Sequence, residues 1–259
     1  MSLFLDTDER IIPELCRYES SIVEVANSER IDLAGKIQLA KSQVGIELER
    51  FLGSLVNVSD QGMYQTYPIA RLTLQNVLVT PALRQWQSYQ TLAATYRDAY
   101  YSQLNTRYEA QHAEYTKLAA QAESTCLDVG VGIVYDPLPA PAAPVVRTGS
   151  DAGSGGGWFL RVTWTGANGA ESAPGAMVQY PVQAGETLSV EAVKAPANAT
   201  GWNLYAGQDE SALGLQNDSP VALELTWVLL PSGFRTGRPI GCGQKPDQLL
   251  TRRRILRRG

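Results

Sequence analysis

The hydrophobic period of this chain changes once, and the change falls at a proline-rich stretch. Ahead of "YDPLPAPAAPVVRTGSDAGSGGG" (residues 135–157) apolar residues recur every three or four positions, and beyond it they alternate. Residues three or four apart share one face of a helix, whereas alternating residues share one face of a strand. The fold class is therefore α + β and multidomain, with helices first and strands second. Pro137, Pro139, Pro141 and Pro144 predict an extended, semi-rigid segment, and the Gly/Ser run from Gly149 to Gly157 a flexible loop. The expected division is a helical bundle over 1–136, a linker over 137–157, a β-sandwich over 158–238 and an extended basic arm over 239–259.

In the first half, Ile37, Ala40, Val44, Leu48, Phe51 and Leu55 form one helical stripe, with Ser28 as the expected N-cap. A second pattern starts at "TPALRQWQSYQ", where Thr80 can cap and Pro81 occupies the first helical position, which needs no N–H donor. Its stripe runs through Leu92, Tyr96, Tyr100, Leu104, Tyr108, Tyr115, Leu118 and Ala122. Unbroken from Pro81 to Ser124, it predicts one very long helix of about 65 Å at 1.5 Å per residue. Such a helix is expected to be braced by the first one and by a shorter third over Pro68 to Val79. Tyr96, Tyr100, Tyr108 and Tyr115 are its core residues or its candidates for an oligomer interface, since tyrosine has an apolar body and a polar tip.

In the second half, "WFLRVTWT" sets Trp158, Leu160, Val162 and Trp164 on one face. "TLSVEAV", "GWNLYAG" and "VALELTWVLL" continue the alternation between turn signals. About seven short strands in some 80 residues predict a small sandwich or barrel. Trp158 and Trp164 belong in its core, while Trp202 and Tyr205 fall on opposite faces of their strand, so one of them is expected outside.

Little in the chain suggests catalysis. Cys16, Cys126 and Cys242 are far apart, and His112 is the only histidine, so neither a disulfide framework nor a Cys/His zinc site is expected. "GSDAGSGGG" lacks the Gly-Lys-Ser/Thr ending of a phosphate loop and precedes a strand. Asp6, Asp8 and Glu9 read as helix-start carboxylates. No enzyme activity, cofactor or metal is expected. The first residues have no basic segment followed by an apolar one, and no membrane span is foreseen, which predicts folding in the cytoplasm.

The net charge of −4 is unevenly spread. Residues 243–259 hold Lys245 and five arginines against Asp247, about +5, which leaves about −9 for everything before them. One reading of "TRRRILRRG" is a docking arm: Arg252, Arg253, Arg254, Arg257 and Arg258 grip carboxylates of a neighbouring protein, with Ile255 and Leu256 as apolar anchors. A second reading is phosphate contact without sequence preference. A third is simply solvated charge.

"WFLRVTWTGANGAESAPG", "APANATGWNLYAG" and "LTWVLLPSG" resemble the fibronectin type III-like modules of tailed-bacteriophage virion proteins. Trp164, Asn168, Gly169, Glu171, Ser172, Pro174, Trp202, Asn203 and Tyr205 stand at the matching positions. The helical half, with its long Tyr/Gln-rich helix, is similar to the head-to-tail connector (adaptor) proteins of such phages. That resemblance implies a structural protein of the virion neck, assembled in the host cytoplasm as a ring of commonly twelve copies. Its partners would be the portal, neck or tail-completion proteins, and genomic DNA passing without sequence-specific binding. The alternative expectation is a tail or baseplate accessory protein whose sandwich holds host glycans and whose helices oligomerise it.

Overall fold

The computed structural model describes residues 1–7, 11–59, 72–103, 106–150, 156–183, 186–229 and 233–252. The chain order is α1 (Ile11–Tyr18), α2 (Ile22–Ser28), α3 (Leu33–Ser59), β1 (Val77–Leu78), α4 (Pro81–Gln103), α5 (Glu109–Val129), β2 (Val131–Ile133), β3 (Val145–Ser150), β4 (Gly156–Gly166), β5 (Val178–Val182), β6 (Glu186–Glu191), β7 (Ala199–Gly207), β8 (Gly214–Leu215), β9 (Trp227–Val228) and β10 (Gln248–Leu250). The architecture is mixed, with helices in one part and antiparallel sheets in both. The chain forms two compact units: Thr7–Tyr135 with Pro246–Gly259, and Met1–Asp6 with Asp136–Lys245.

In the helical unit the stripe of α3 is where the spacing puts it, and Ile37, Ala40, Val44, Leu48 and Phe51 are all buried. Ser28 does not cap this helix; it ends α2. The first turn of α3 is held instead by Asp32, whose carboxylate accepts from the Gly35 N–H at 3.0 Å. Thr80 accepts from the Leu83 N–H, and Pro81 opens α4 as expected.

The single long helix is corrected to a hairpin. α4 ends at Gln103, a 3-10 turn covers Thr106–Tyr108, and α5 runs back alongside α4. Ring pairs mark the antiparallel register, with Tyr100 against His112, Tyr96 against Tyr108 and Tyr115, and Tyr89 against Tyr115. The expected third helix over Pro68 to Val79 is also corrected where it is described, since Leu74–Asn76 is a 3-10 turn and Val77–Leu78 a strand. Residues 60–71 lie outside the described residues. A small antiparallel sheet ordered β1-β2-β10 completes the unit.

The β unit has two antiparallel sheets, ordered β3-β6-β9 and β5-β4-β7-β8. Their inner faces share one core: Leu160, Val162 and Trp164 of β4, Leu188 and Val190 of β6, and Trp202, Leu204 and Ala206 of β7. Each buried Leu or Val among them is worth roughly 1.5–3 kcal/mol of burial. Trp158 is only half-buried and stacks on Phe234, with ring centroids 3.8 Å apart.

The expected linker is corrected as well. Val145–Ser150 pairs along its whole length with β6, and Gly156 already belongs to β4. Alternation is hard to read in "VVRTGS", where only Val146 packs against the core. Two boundaries also move. Residues 1–6 belong with the β unit, where the Met1 amino group donates to the Gln244 carbonyl and Asp6 accepts from the Ala140 N–H. Asp6 therefore serves the proline-rich segment; Asp8 and Glu9 lie outside the described residues. The arm expected over 239–259 is not free throughout: Gln248–Leu250 is the strand β10, paired with β2. Residues 253–259 lie outside the described residues. No helix among the described residues is long and apolar enough to cross a membrane.

Candidate functional site

The residues singled out in the second half converge on Glu171. It follows a tight turn that Asn168 and Gly169 make possible: Asn168 accepts from the Ala170 N–H, and Gly169 sits at φ +75°, where a side chain would be strained. Glu171 Oε1 accepts from Thr163 Oγ1 at 2.5 Å, Tyr205 Oη at 2.8 Å and Asn203 Nδ2 at 2.9 Å. Oε2 accepts from Arg238 Nη2 at 2.8 Å, and the Arg238 guanidinium lies 5.9 Å from the centroid of the Tyr205 ring. Asn203 in turn accepts from Asn217, whose own side-chain oxygen takes the Leu204 N–H. Ser172 accepts from the Trp164 N–H and donates to the Ala173 carbonyl.

Burial of Glu171 would raise its pKa, but the bonds from Asn203, Thr163, Tyr205 and Arg238 outweigh it and hold the carboxyl below its ordinary value. Burial and the Glu171 charge together push the Tyr205 hydroxyl up. With four donors converging on its two oxygens, the carboxylate is a tie rather than a reagent. It joins the turn after β4 to β7 and to the 235–239 segment. Trp202 and Tyr205 do fall on opposite faces of β7, but both are fully buried, which corrects the expectation that one lies outside. On the outer face of β7 the Tyr205 ring is covered by Glu171 and Arg238, so it is not the exposed aromatic that was expected.

The helical unit holds a second carboxylate in tyrosines. Glu19 accepts from Tyr115 Oη at 2.9 Å and from Ser21 Oγ at 2.7 Å, and Glu29 accepts from Tyr108 Oη at 3.1 Å. Burial works against the Glu19 charge, yet the bonds from Ser21, Tyr115 and Tyr96 keep its pKa below the ordinary value. Burial, then the Glu19 charge, raises Tyr96 to about 12. Tyr96, Tyr108 and Tyr115 are thus buried inside their own unit, and Tyr100 is half-buried against His112. Tyr96, Tyr108 and Tyr115 thus take the core alternative of the expectation; the most exposed tyrosine ring of the hairpin is Tyr101, at 62%.

Among the described residues no group of three or more His, Cys, Asp or Glu side chains is placed to hold a metal ion. Burial pushes the Cys126 thiol up to about 12, with the Glu123 charge adding to it, and Cys242 is exposed.

Of the expected docking residues, Arg252 is described and exposed, whereas Arg253, Arg254, Ile255, Leu256, Arg257 and Arg258 lie outside the described residues. What precedes them is fixed. β10 pairs with β2 from Gln248↔Ile133 to Leu250↔Val131, and the Arg252 N–H donates to the Leu127 carbonyl at 2.8 Å. Asp247 accepts from the Tyr135 N–H, and its own N–H donates to the Ile133 carbonyl. The sequence signal for this anchor is faint: Leu249-Leu250 is too short to read as a strand. Compared with known protein families and with curated proteins, the chain matches none.

Proposed function

We propose that this chain is a structural protein of a tailed-phage virion, a ring-forming head-to-tail connector that joins the portal to the neck around the DNA channel. In this reading the sandwich is a fibronectin type III-like module, copies associate through the helical unit into a ring, commonly of twelve, and the arginine-rich segment docks onto carboxylates of the portal. The acidic body disfavours sticking of DNA as it passes.

The observation that carries the reading is the rooted arm. Five arginines follow directly on a strand pinned to β2, and the N–H of the first of them is bonded to the end of α5. The anchored root fixes where the cationic segment starts, and arginine forks suit carboxylates on an opposing surface. The Glu171 tie supports the module likeness, because it joins both quoted parts of the resemblance, "NGAES" and "WNLY", through direct bonds.

The test is native mass spectrometry of the full-length chain and of a chain ending at Arg252, each alone and with the portal ring. Ending at Arg252 keeps β10 and removes only 253–259. Addition of the full-length chain as a discrete multiple, and failure of the shortened one to add, is the expected result. Full-length protein that stays monomeric and ignores the portal overturns the reading.

A further inference from the structure

The helical unit has an open groove of about 320 Å³ whose walls are α3 and α5 and whose floor is α4. Trp86 and Gln90 form the floor. Val44, Ile46 and Glu47 stand on one wall and Glu123 on the other. Gln90 donates to Gln43 at 2.9 Å, which ties the floor to the α3 wall. Ile46 is 60% exposed although it sits mid-helix beside this opening. The groove therefore offers an apolar side chain and two carboxylates, and no cation is among its lining residues.

We propose that this groove is a receptor for an extended, arginine-rich segment, and that its occupant is the chain's own residues 253–259. Three observations lead there. The first is charge and pattern: Arg253, Arg254, Arg257 and Arg258 flank Ile255 and Leu256, matching an acidic rim around Ile46. The second is position. The Arg252 N–H is bonded to the Leu127 carbonyl, and Glu123 is the residue one turn earlier on α5, about 6 Å along the helix. The third is length. Seven residues span at most about 24 Å extended, while two neighbouring interhelical spacings from α5 across α4 to α3 come to roughly 20 Å. The segment reaches Glu47 without disturbing β10.

Glu123 pairs with no described residue, and Glu47 is paired at 3.3 Å with Arg50, a side chain 78% exposed. An exposed pair of this kind exchanges partners at little cost. The inference rests on the reading of the arm as a carboxylate-seeking segment and adds where it lies before a partner takes it: the groove holds the arm in the free protein, and a surface richer in carboxylates draws it out.

The experiment needs no portal, so its failure is separate from failure of the connector reading. Full-length protein is exposed briefly to trypsin at low salt, and mass spectrometry follows the release of residues beyond Arg253. With Glu47→Gln and Glu123→Gln together, release is expected to be about tenfold faster than in the wild type, the effect of losing two surface ion pairs in the upper half of their range. Glu49→Gln, an exposed change on the same helix outside the groove lining, is expected to leave the rate at the wild-type value. Salt near 1 M, where screening acts within about 3 Å, should bring the wild type up to the variant's rate. An Ile46→Cys, Ile255→Cys chain should form an intramolecular disulfide on mild oxidation. Equal rates in the wild type and the double variant overturn the proposal. So does protection that grows with protein concentration, because the groove then takes the arm of a second copy.

Discussion

Each unit surrounds a carboxylate with side-chain donors that hold its pKa below the ordinary value, yet the two arrangements differ in what they hold together. Glu171 is closed off: four side chains from β4, β7 and the 235–239 segment converge on it, and its side chain is 16% exposed. Glu19 lies on the short link between α1 and α2, half-buried, and takes its hydroxyls from Ser21 beside it and from Tyr115 on α5. Water can replace a lost donor at Glu19 much more readily than at Glu171. Where a sheet must bury its outer face it uses a saturated polar knot, and where helices pack through tyrosine rings the carboxylate is an accessory. Substitution can break that contrast or sharpen it.

The largest effect is expected from Glu171→Leu. It strands the Thr163, Asn203 and Tyr205 donors with no acceptor and leaves Arg238 without its partner, at a cost of about 3–5 kcal/mol. Hydrogen exchange read peptide by peptide should find β4 and β7 deprotected and α4 and α5 unchanged. Deprotection spread equally over both units would end the idea that the knot is local.

A matched pair comes next. Tyr205→Phe removes a bond to an enclosed charge and is expected to cost about 1.5–3 kcal/mol in urea unfolding. Tyr115→Phe removes the same bond type from Glu19, where solvent can substitute, and about 0.5–1.5 kcal/mol is expected. Equal costs would mean that exposure of the acceptor does not govern the difference.

The pH dependence has the same origin. Both carboxylates have folded pKa values held below the ordinary value near 4.5, so each contributes stability that is present above that value and lost as the pH falls through the folded one. Acid should therefore weaken both units below about pH 4.5, and Glu171→Gln should flatten the response in β4 and β7 alone. Tyr96, Tyr115 and Tyr205 behave in the opposite sense. Their raised pKa values contribute stability below pH 10 that is lost as the pH climbs through the folded values, about 12 for Tyr96. An absorbance titration should find these hydroxyls ionising only with unfolding.

Sequence pattern carried the broad layout and failed at particular residues for physical reasons. The period change located the helices and the strands β4 to β9 but not β1 and β2, which lie ahead of it, and the α3 stripe was legible down to single residues. The α4–α5 hairpin was not, because two antiparallel helices facing each other each carry a stripe of the same spacing. Tyr96, Tyr108 and Tyr115 continue one pattern across a chain reversal. Asn105-Thr106, a pair that favours turns, was the local signal, and the stripe outweighed it. In the β unit the motif residues were legible as a set, but the link from Glu171 to Asn203 and Tyr205 spans 32 and 34 positions and no short pattern encodes it. Trp202 and Tyr205 misled because alternation assumes one wet face, whereas the outer face of β7 is covered. The root of the arm depended on a three-residue pairing, below the length at which alternation is visible.

The smallest effect separates the two units by their glycines. Gly53 lies within α3, and a Cβ added there meets nothing within 4 Å. Alanine at that position gains helix propensity with no steric cost, so Gly53→Ala is expected to stabilise the helical unit by about 0.5–1 kcal/mol. A Cβ on Gly237 in the β unit would lie 2.0 Å from the Leu215 carbonyl oxygen, and one on Gly201 would lie 2.8 Å from that of Val221. Both are backbone contacts that cannot yield without moving a strand. The same glycine-to-alanine change should therefore raise the urea midpoint when made in α3 and lower it when made at Gly237. A Gly53→Ala chain that unfolds earlier than the wild type would mean that the exposed face of α3 is covered in solution, most simply by another copy, and the free-surface treatment of Ile46 and its groove would have to be revised with it.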